Sequence, residues 1–125
     1  MINKKLGILL LDQKVKEWVE MVNRSRLVDE FLELVRIDSL SLKERQMCDT
    51  LKRKLQELGY QPIEDDAGQK VGGQCGNIIC TIKGNKDVPA VLLTAHMDTV
   101  VPGIGKKPII EGDIIKSDGT TILGG

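Results

Sequence analysis

The segment VLLTAHMDTVVPG, Val91 to Gly103, decides how this chain reads. An apolar run, Ala90 to Ala95, breaks off at the only histidine of the sequence, His96, and an aspartate, Asp98, follows two positions later. A run that is apolar on both faces suits a central strand covered on each side by helices. In extended chain, residues two apart leave the same face, so His96 and Asp98 project together from the C-terminal end of that strand. In open α/β sheets this end is where ligands sit. A neutral imidazole is a good zinc ligand, and a nearby carboxylate either binds the metal or holds the imidazole in one tautomer. The pair by itself leaves a second reading open, an ordinary strand end that carries two polar residues.

Upstream of this strand, Gly and Pro punctuate short runs: YQPIE, the glycine-rich GQKVGGQCGN, then IICTIKG. These read as strands joined by a turn. Ile78 to Lys83 alternates more than Ala90 to Ala95 and belongs nearer a sheet edge. Gly68, Gly72, Gly73 and Gly76 precede a strand rather than open a helix, which favours a hairpin turn over a nucleotide-binding loop. Downstream, PIIEGDIIKSDGT sets two Ile pairs around Glu111-Gly112-Asp113, a hairpin signal. Gly103-Ile104-Gly105-Lys106 misses the spacing of a phosphate-binding loop, and Lys107 stands where Ser or Thr belongs, so it reads as a plain loop.

Toward the N-terminus the period changes to that of helices. Met47, Leu51, Leu55 and Leu58 line one face of a segment that opens on Ser41-Leu42-Lys43-Glu44, a capping-box pattern, and closes at Gly59. Before it, Leu27, Phe31, Leu34 and Val35 follow the spacing of a helix with one buried face. Val15, Trp18, Val19 and Val22 suggest a further short amphipathic helix. Helices followed by a sheet with a buried strand give an α/β layered domain.

The totals agree with one domain. The 125 residues include one Trp, one Tyr and one Phe, so the core is aliphatic. Eighteen basic and eighteen acidic side chains cancel and are mixed along the chain, which leaves no electrostatic footprint for nucleic acid or an anionic membrane. Cys48, Cys75 and Cys80 are odd in number and form no C-x-x-C pair. This argues against a disulfide framework and a thiolate zinc site, makes each a small buried hydrophobe by default, and points to a reducing cytoplasm. The opening MINKKLGILLLDQ carries too short an apolar stretch for a secretory signal, and no run is long enough for a transmembrane helix.

The longer context narrows the reading. TAHMDTVVPG after a buried strand, with GNIICTIKG one strand earlier and SDGTTILGG downstream, resembles the zinc-dependent exopeptidase family of tripeptidase T, the aminoacylases and succinyl-diaminopimelate desuccinylase. The likeness is greatest to tripeptidase T-like members and runs from about Met21, at VNRSRLVDEFLELVRIDSLSLKE, to Gly125. It implies a layered α/β catalytic domain, helices packed on a mixed sheet, with only the N-terminal part present. It also implies that His96 ligates one zinc of a two-metal site and that Asp98 clamps His96 and supports catalysis. In such enzymes a metal-bridging aspartate follows LGG, and the other ligands and a Glu general base lie further on, so the zinc site is incomplete here.

The expectation is therefore an extension over residues 1–20 and a catalytic-domain portion over residues 21–125. The complete enzyme would be cytoplasmic and would remove the N-terminal residue of short peptides, while this chain by itself would be inactive. The rival is a non-catalytic α/β module that associates with a partner, or with itself, through an exposed sheet edge.

Overall fold

A computed structural model describes residues 22–124 of the chain. It divides into two compact units, Met1–Glu33 and Leu34–Gly125. The expected extension over residues 1–20 lies outside the described residues, as do Val15, Trp18 and Val19 of the predicted amphipathic helix, while Val22 stands at a bend before the first described helix. Helix α1, Arg24–Val35, begins in the first unit. Its start is capped by Asn23, whose Oδ1 accepts the Arg26 N–H at 3.0 Å. Leu27 and Phe31 on the expected apolar face are exposed, and full burial is reached only at Val35.

The second unit is built around helix α2, Arg45–Glu57. Met47 and Cys48 on this helix are buried, Leu51 and Leu55 are half-buried, and Leu58 is exposed. Its C-terminal end follows the sequence signal. Gly59 takes φ +86, so its N–H bonds to Gln56 O and the Tyr60 N–H to Leu55 O, which satisfies carbonyls the helix leaves open. Its N-terminal end does not follow the signal. No side chain caps α2, the Glu44 carboxylate accepts the Leu42 N–H at 2.6 Å, and the Ser41 hydroxyl is engaged elsewhere.

Strands β1, Ile63–Glu64, and β2, Ile78–Ile79, pair antiparallel with Ile63 opposite Ile79. The glycine-rich link between them is a hairpin connection, as expected, but it also contains a one-turn helix, α3, Ala67–Val71. Close packing explains two of its glycines. A Cβ on Gly68 would stand 1.9 Å from Cys75 O, and one on Gly76 would stand 2.0 Å from Asp65 O. Arg45 ties α2 to this hairpin through Glu64 and through two bonds to Gln74 O.

Strands β3, Pro108–Glu111, and β4, Ile114–Ser117, form the second hairpin with Glu111 opposite Ile114. Gly112 at φ +61 makes the two-residue turn. Among the described residues the strands thus form two separate antiparallel pairs, with parallel pairing at one bridge, Leu40 to Thr99, rather than one continuous mixed sheet. The expected central strand differs most. Ala90 to Ala95 is extended and exposed, with Val91, Leu92 and Leu93 at 83, 85 and 88% exposure. Its apolar pattern asks for a partner on each side, and no strand pairs with it among the described residues. None of the described helices is long and apolar enough to cross a membrane.

Candidate functional site

His96 and Asp98 stand where the exposed run meets the body of the second unit. Nδ1 of His96 lies 2.7 Å from the main-chain oxygen of Asp98 and 3.1 Å from its carboxylate Oδ1. Both partners are acceptors and neither carries a proton to give, so Nδ1 is the protonated nitrogen and donates. The lone pair of the neutral ring is then on Nε2. That nitrogen faces away from Asp98, on an imidazole that is 62% exposed.

Asp98 is held in turn by residues far away in sequence. The Ser41 hydroxyl donates to Asp98 Oδ2 at 2.5 Å across 57 residues. This bond, with the contact to His96 behind it, lowers the Asp98 carboxyl from its ordinary pKa. Fully buried Ser39 donates its hydroxyl to Met97 O at 2.7 Å, and Ser39 O accepts the Thr99 N–H at 2.7 Å. The link between α1 and α2 therefore runs parallel to Met97–Thr99 and bonds on both sides of Asp98. Nothing local in the sequence marks Ser39, and the Ser-x-x-Glu spacing points Ser41 to a helix cap, because a contact between segments so far apart leaves no local signal.

The loop after the pair is braced from within. Lys106, only 4% exposed, donates its ammonium to Gly103 O at 2.8 Å, and the Gly105 N–H bonds to Asp38 Oδ1 at 2.8 Å. Gly103-Ile104-Gly105-Lys106 is thus a loop closed on itself, as the failed phosphate-loop spacing implied. The downstream TTILGG stretch joins here as well, through the Ile122 N–H on Pro102 O at 2.8 Å. Val101-Pro102 is a cis peptide bond.

A cleft of about 820 Å³ opens beside the pair, lined by Leu51, Leu55, Val71, Ile78, Leu92 and His96 among others. Its walls are mainly aliphatic, and His96 and Asp98 supply polar groups at one border.

Among the described residues, one trio of potential metal donors gathers within 4.8 Å of one another: Cys48, Asp49 and Glu64. It does not suit a cation. Arg45 bonds to Asp49 and, at two points, to Glu64, and Lys52 reaches Glu64 at 2.9 Å, so the negative charge is already matched. Burial also pushes the Cys48 thiol up to about 12, far from the thiolate a metal needs. Among the described residues no such trio surrounds His96. Its free nitrogen fits one ligand position of a zinc site, with Asp98 in the role of orienting carboxylate, and the remaining positions are not supplied by the described residues.

No protein-family model matches the chain. The fold superposes on aminopeptidase PepT of Bacillus cereus with a TM-score of 0.79 and 50% identity, covering 83% of this chain and 28% of that one. It superposes on a tripeptidase of Staphylococcus aureus with a TM-score of 0.78 and 46% identity, covering 82% and 28%. Over these residues the chain is tripeptidase-like. The uncharacterized protein YqjE of Bacillus subtilis is 53% identical over 104 residues, again 83% of this chain and 28% of the relative. The tripeptidase-like chain thus spans little more than a quarter of the length of these three proteins. At such identity, the likeness bears on the sequence and the fold together.

Proposed function

We propose that this chain is the N-terminal part of a two-zinc exopeptidase that removes the N-terminal residue of short peptides. His96 binds one metal through Nε2, and Asp98 keeps the ring in that tautomer. The observation that carries the reading is the double anchoring of His96 Nδ1 on two oxygens of Asp98 at the border of an aliphatic cleft. When bound, a zinc pair polarises the scissile carbonyl and activates a water. This chain's own share is to orient the imidazole, keep its protonated edge turned inward and offer an apolar wall to a peptide side chain. The likeness to an aminopeptidase and to a tripeptidase supports the substrate class.

With one ligand offered by the described residues where a catalytic zinc takes three, the chain by itself holds metal weakly and does not turn over substrate. Its three free thiols suit a reducing compartment, and the cytoplasm is our reading of its location. The exposed Val91–Leu93 run makes self-association the expected behaviour of the isolated chain.

A chimera tests the proposal, with the matching stretch of the Bacillus cereus aminopeptidase replaced by this chain. It should bind zinc and release the N-terminal residue from tripeptides, and His96→Ala should abolish both. Zinc binding that is indifferent to His96→Ala would remove this residue from the site. A folded, zinc-loaded chimera without peptide hydrolysis would overturn the activity.

A further inference from the structure

Two serines in the link between α1 and α2 reach the His96–Asp98 pair, and their geometry goes beyond what a pair of site residues needs. Ser39 is fully buried and fastens the main chain on either side of Asp98, at Met97 O and through Thr99 N–H. Ser41 is exposed and fastens the Asp98 side chain itself, at Oδ2. An aspartate with one oxygen held in this way has a defined orientation about its last torsion. The other oxygen, Oδ1, then points at His96 Nδ1. Without Ser41, the carboxylate of Asp98, 38% exposed on its side chain, is free to turn toward water.

We propose that Ser41 is a positioning residue of this site: its hydroxyl fixes the Asp98 carboxylate so that Oδ1 faces Nδ1 of His96, which selects the imidazole tautomer that leaves Nε2 open to a metal. The inference rests on the reading of His96 and Asp98 given above and adds a third member to it. The two contacts of Asp98 on the ring are separable in this scheme. Its main-chain oxygen stays in place whatever the side chain does, so Ser41 acts on the carboxylate contact alone.

The chain's single histidine makes the test direct, because its two ring nitrogens give one unambiguous pair of ¹⁵N resonances. The probe is the apo chain at a pH where the ring is neutral. Wild type should show Nδ1 protonated and Nε2 bare. In Ser41→Ala the ratio of the Nδ1–H to the Nε2–H tautomer should fall about fivefold, the weight of one ordinary hydrogen bond. Ser41→Thr, which keeps the hydroxyl, should restore it, a rescue that a merely structural role for residue 41 does not predict. Asp98→Ala separates the two layers of the argument. If Asp98→Ala shifts the tautomer and Ser41→Ala does not, the role of Ser41 is overturned while the pair stands. If Asp98→Ala also leaves it unchanged, the clamp itself fails. Should Ser41→Ala disturb backbone amides beyond this site, the comparison of Ser41→Thr with wild type decides, since loss of the Nδ1–H tautomer in a folded threonine variant overturns the proposal.

Discussion

Arg45 and Glu64 meet at two points, Nη1 on Oε2 at 3.0 Å and Nη2 on Oε1 at 2.6 Å, and this fork joins α2 to the β1–β2 hairpin. Glu64 also takes Lys52 Nζ at 2.9 Å and the Gly76 N–H at 3.2 Å, with its side chain 18% exposed. Glu64→Gln keeps an acceptor for one arm of the fork and presents an amide N–H₂ to a second cation. We expect it to cost about 1–2 kcal/mol, above an ordinary surface pair because the geometry is bidentate and half-buried. The urea midpoint should fall with an unchanged slope.

The same group sets a pH dependence. Arg45 first, then Lys52, hold the Glu64 carboxyl well below its ordinary value. A carboxyl lowered on folding adds stability that is present above the unfolded pKa of about 4.3 and lost as pH falls through the folded value. Wild-type stability should therefore decline below about pH 4.5, and the gap between wild type and Glu64→Gln should narrow over that range. Asp65, lowered mainly by the Asn77 side chain, and Asp118, lowered mainly by Thr120, push in the same direction in both proteins. Urea titrations at stepped pH measure the gap, and a constant difference down to about pH 3 would contradict the assignment.

Gly76→Ala should be among the most damaging single-methyl changes in the second unit. Its Cβ would meet Asp65 O at 2.0 Å and Asp65 Oδ1 at 2.5 Å, and the first of these is backbone that does not rotate away. A cost of about 3 kcal/mol or more is expected from such overpacking. Gly84→Ala, where nothing lies within 4 Å, should stay within about 0.5 kcal/mol of wild type. Thermal melts of the two variants side by side provide the comparison.

Ser39→Ala should act locally and measurably. It leaves Met97 O without its buried donor, at a cost of about 1–3 kcal/mol. The Thr99 amide, which bonds to Ser39 O, should exchange its hydrogen faster in the variant, while amides of α2 away from this contact keep their relative order.

The thiols should alkylate in a fixed order. Cys48 is fully buried, and burial pushes its pKa up to about 12, whereas Cys75 and Cys80 are half-exposed. Burial raises the Cys75 thiol as well. Timed labelling with iodoacetamide and peptide mass spectrometry should find Cys80 modified first and Cys48 last. Early labelling of Cys48 would mean that α2 opens readily.

What the sequence made legible follows from range. The end of α2 at Gly59 and the turn at Gly112 are local events, each set by one residue able to adopt positive φ, and both read directly. The hairpin between β3 and β4 was visible for the same reason. Ser41 was misread because Ser-x-x-Glu is equally compatible with a helix cap and with a hydroxyl turned to a partner 57 residues away. Only the fold decides between them. The one-turn helix α3 hid inside a glycine-rich run whose composition spoke for a turn. Ala90 to Ala95 was legible as a strand that wants partners, but its pattern says nothing about whether those partners are at hand. Spacing singled out His96 and Asp98 as a pair, and the structure brings the two into contact, while the serines that fasten Asp98 left no short-range trace.

The parallel bridge between Leu40 and Thr99 limits how this site can be transplanted. A synthetic peptide that copies only Val91 to Gly103 would carry the histidine and the aspartate yet lack Ser39 and Ser41, and would behave toward metals like any short histidine peptide. A graft that preserves the orientation of the ring has to bring two strands of sequence side by side, one around residues 38–41 and one around residues 96–106. For an engineer, the portable unit is that crossing rather than the motif.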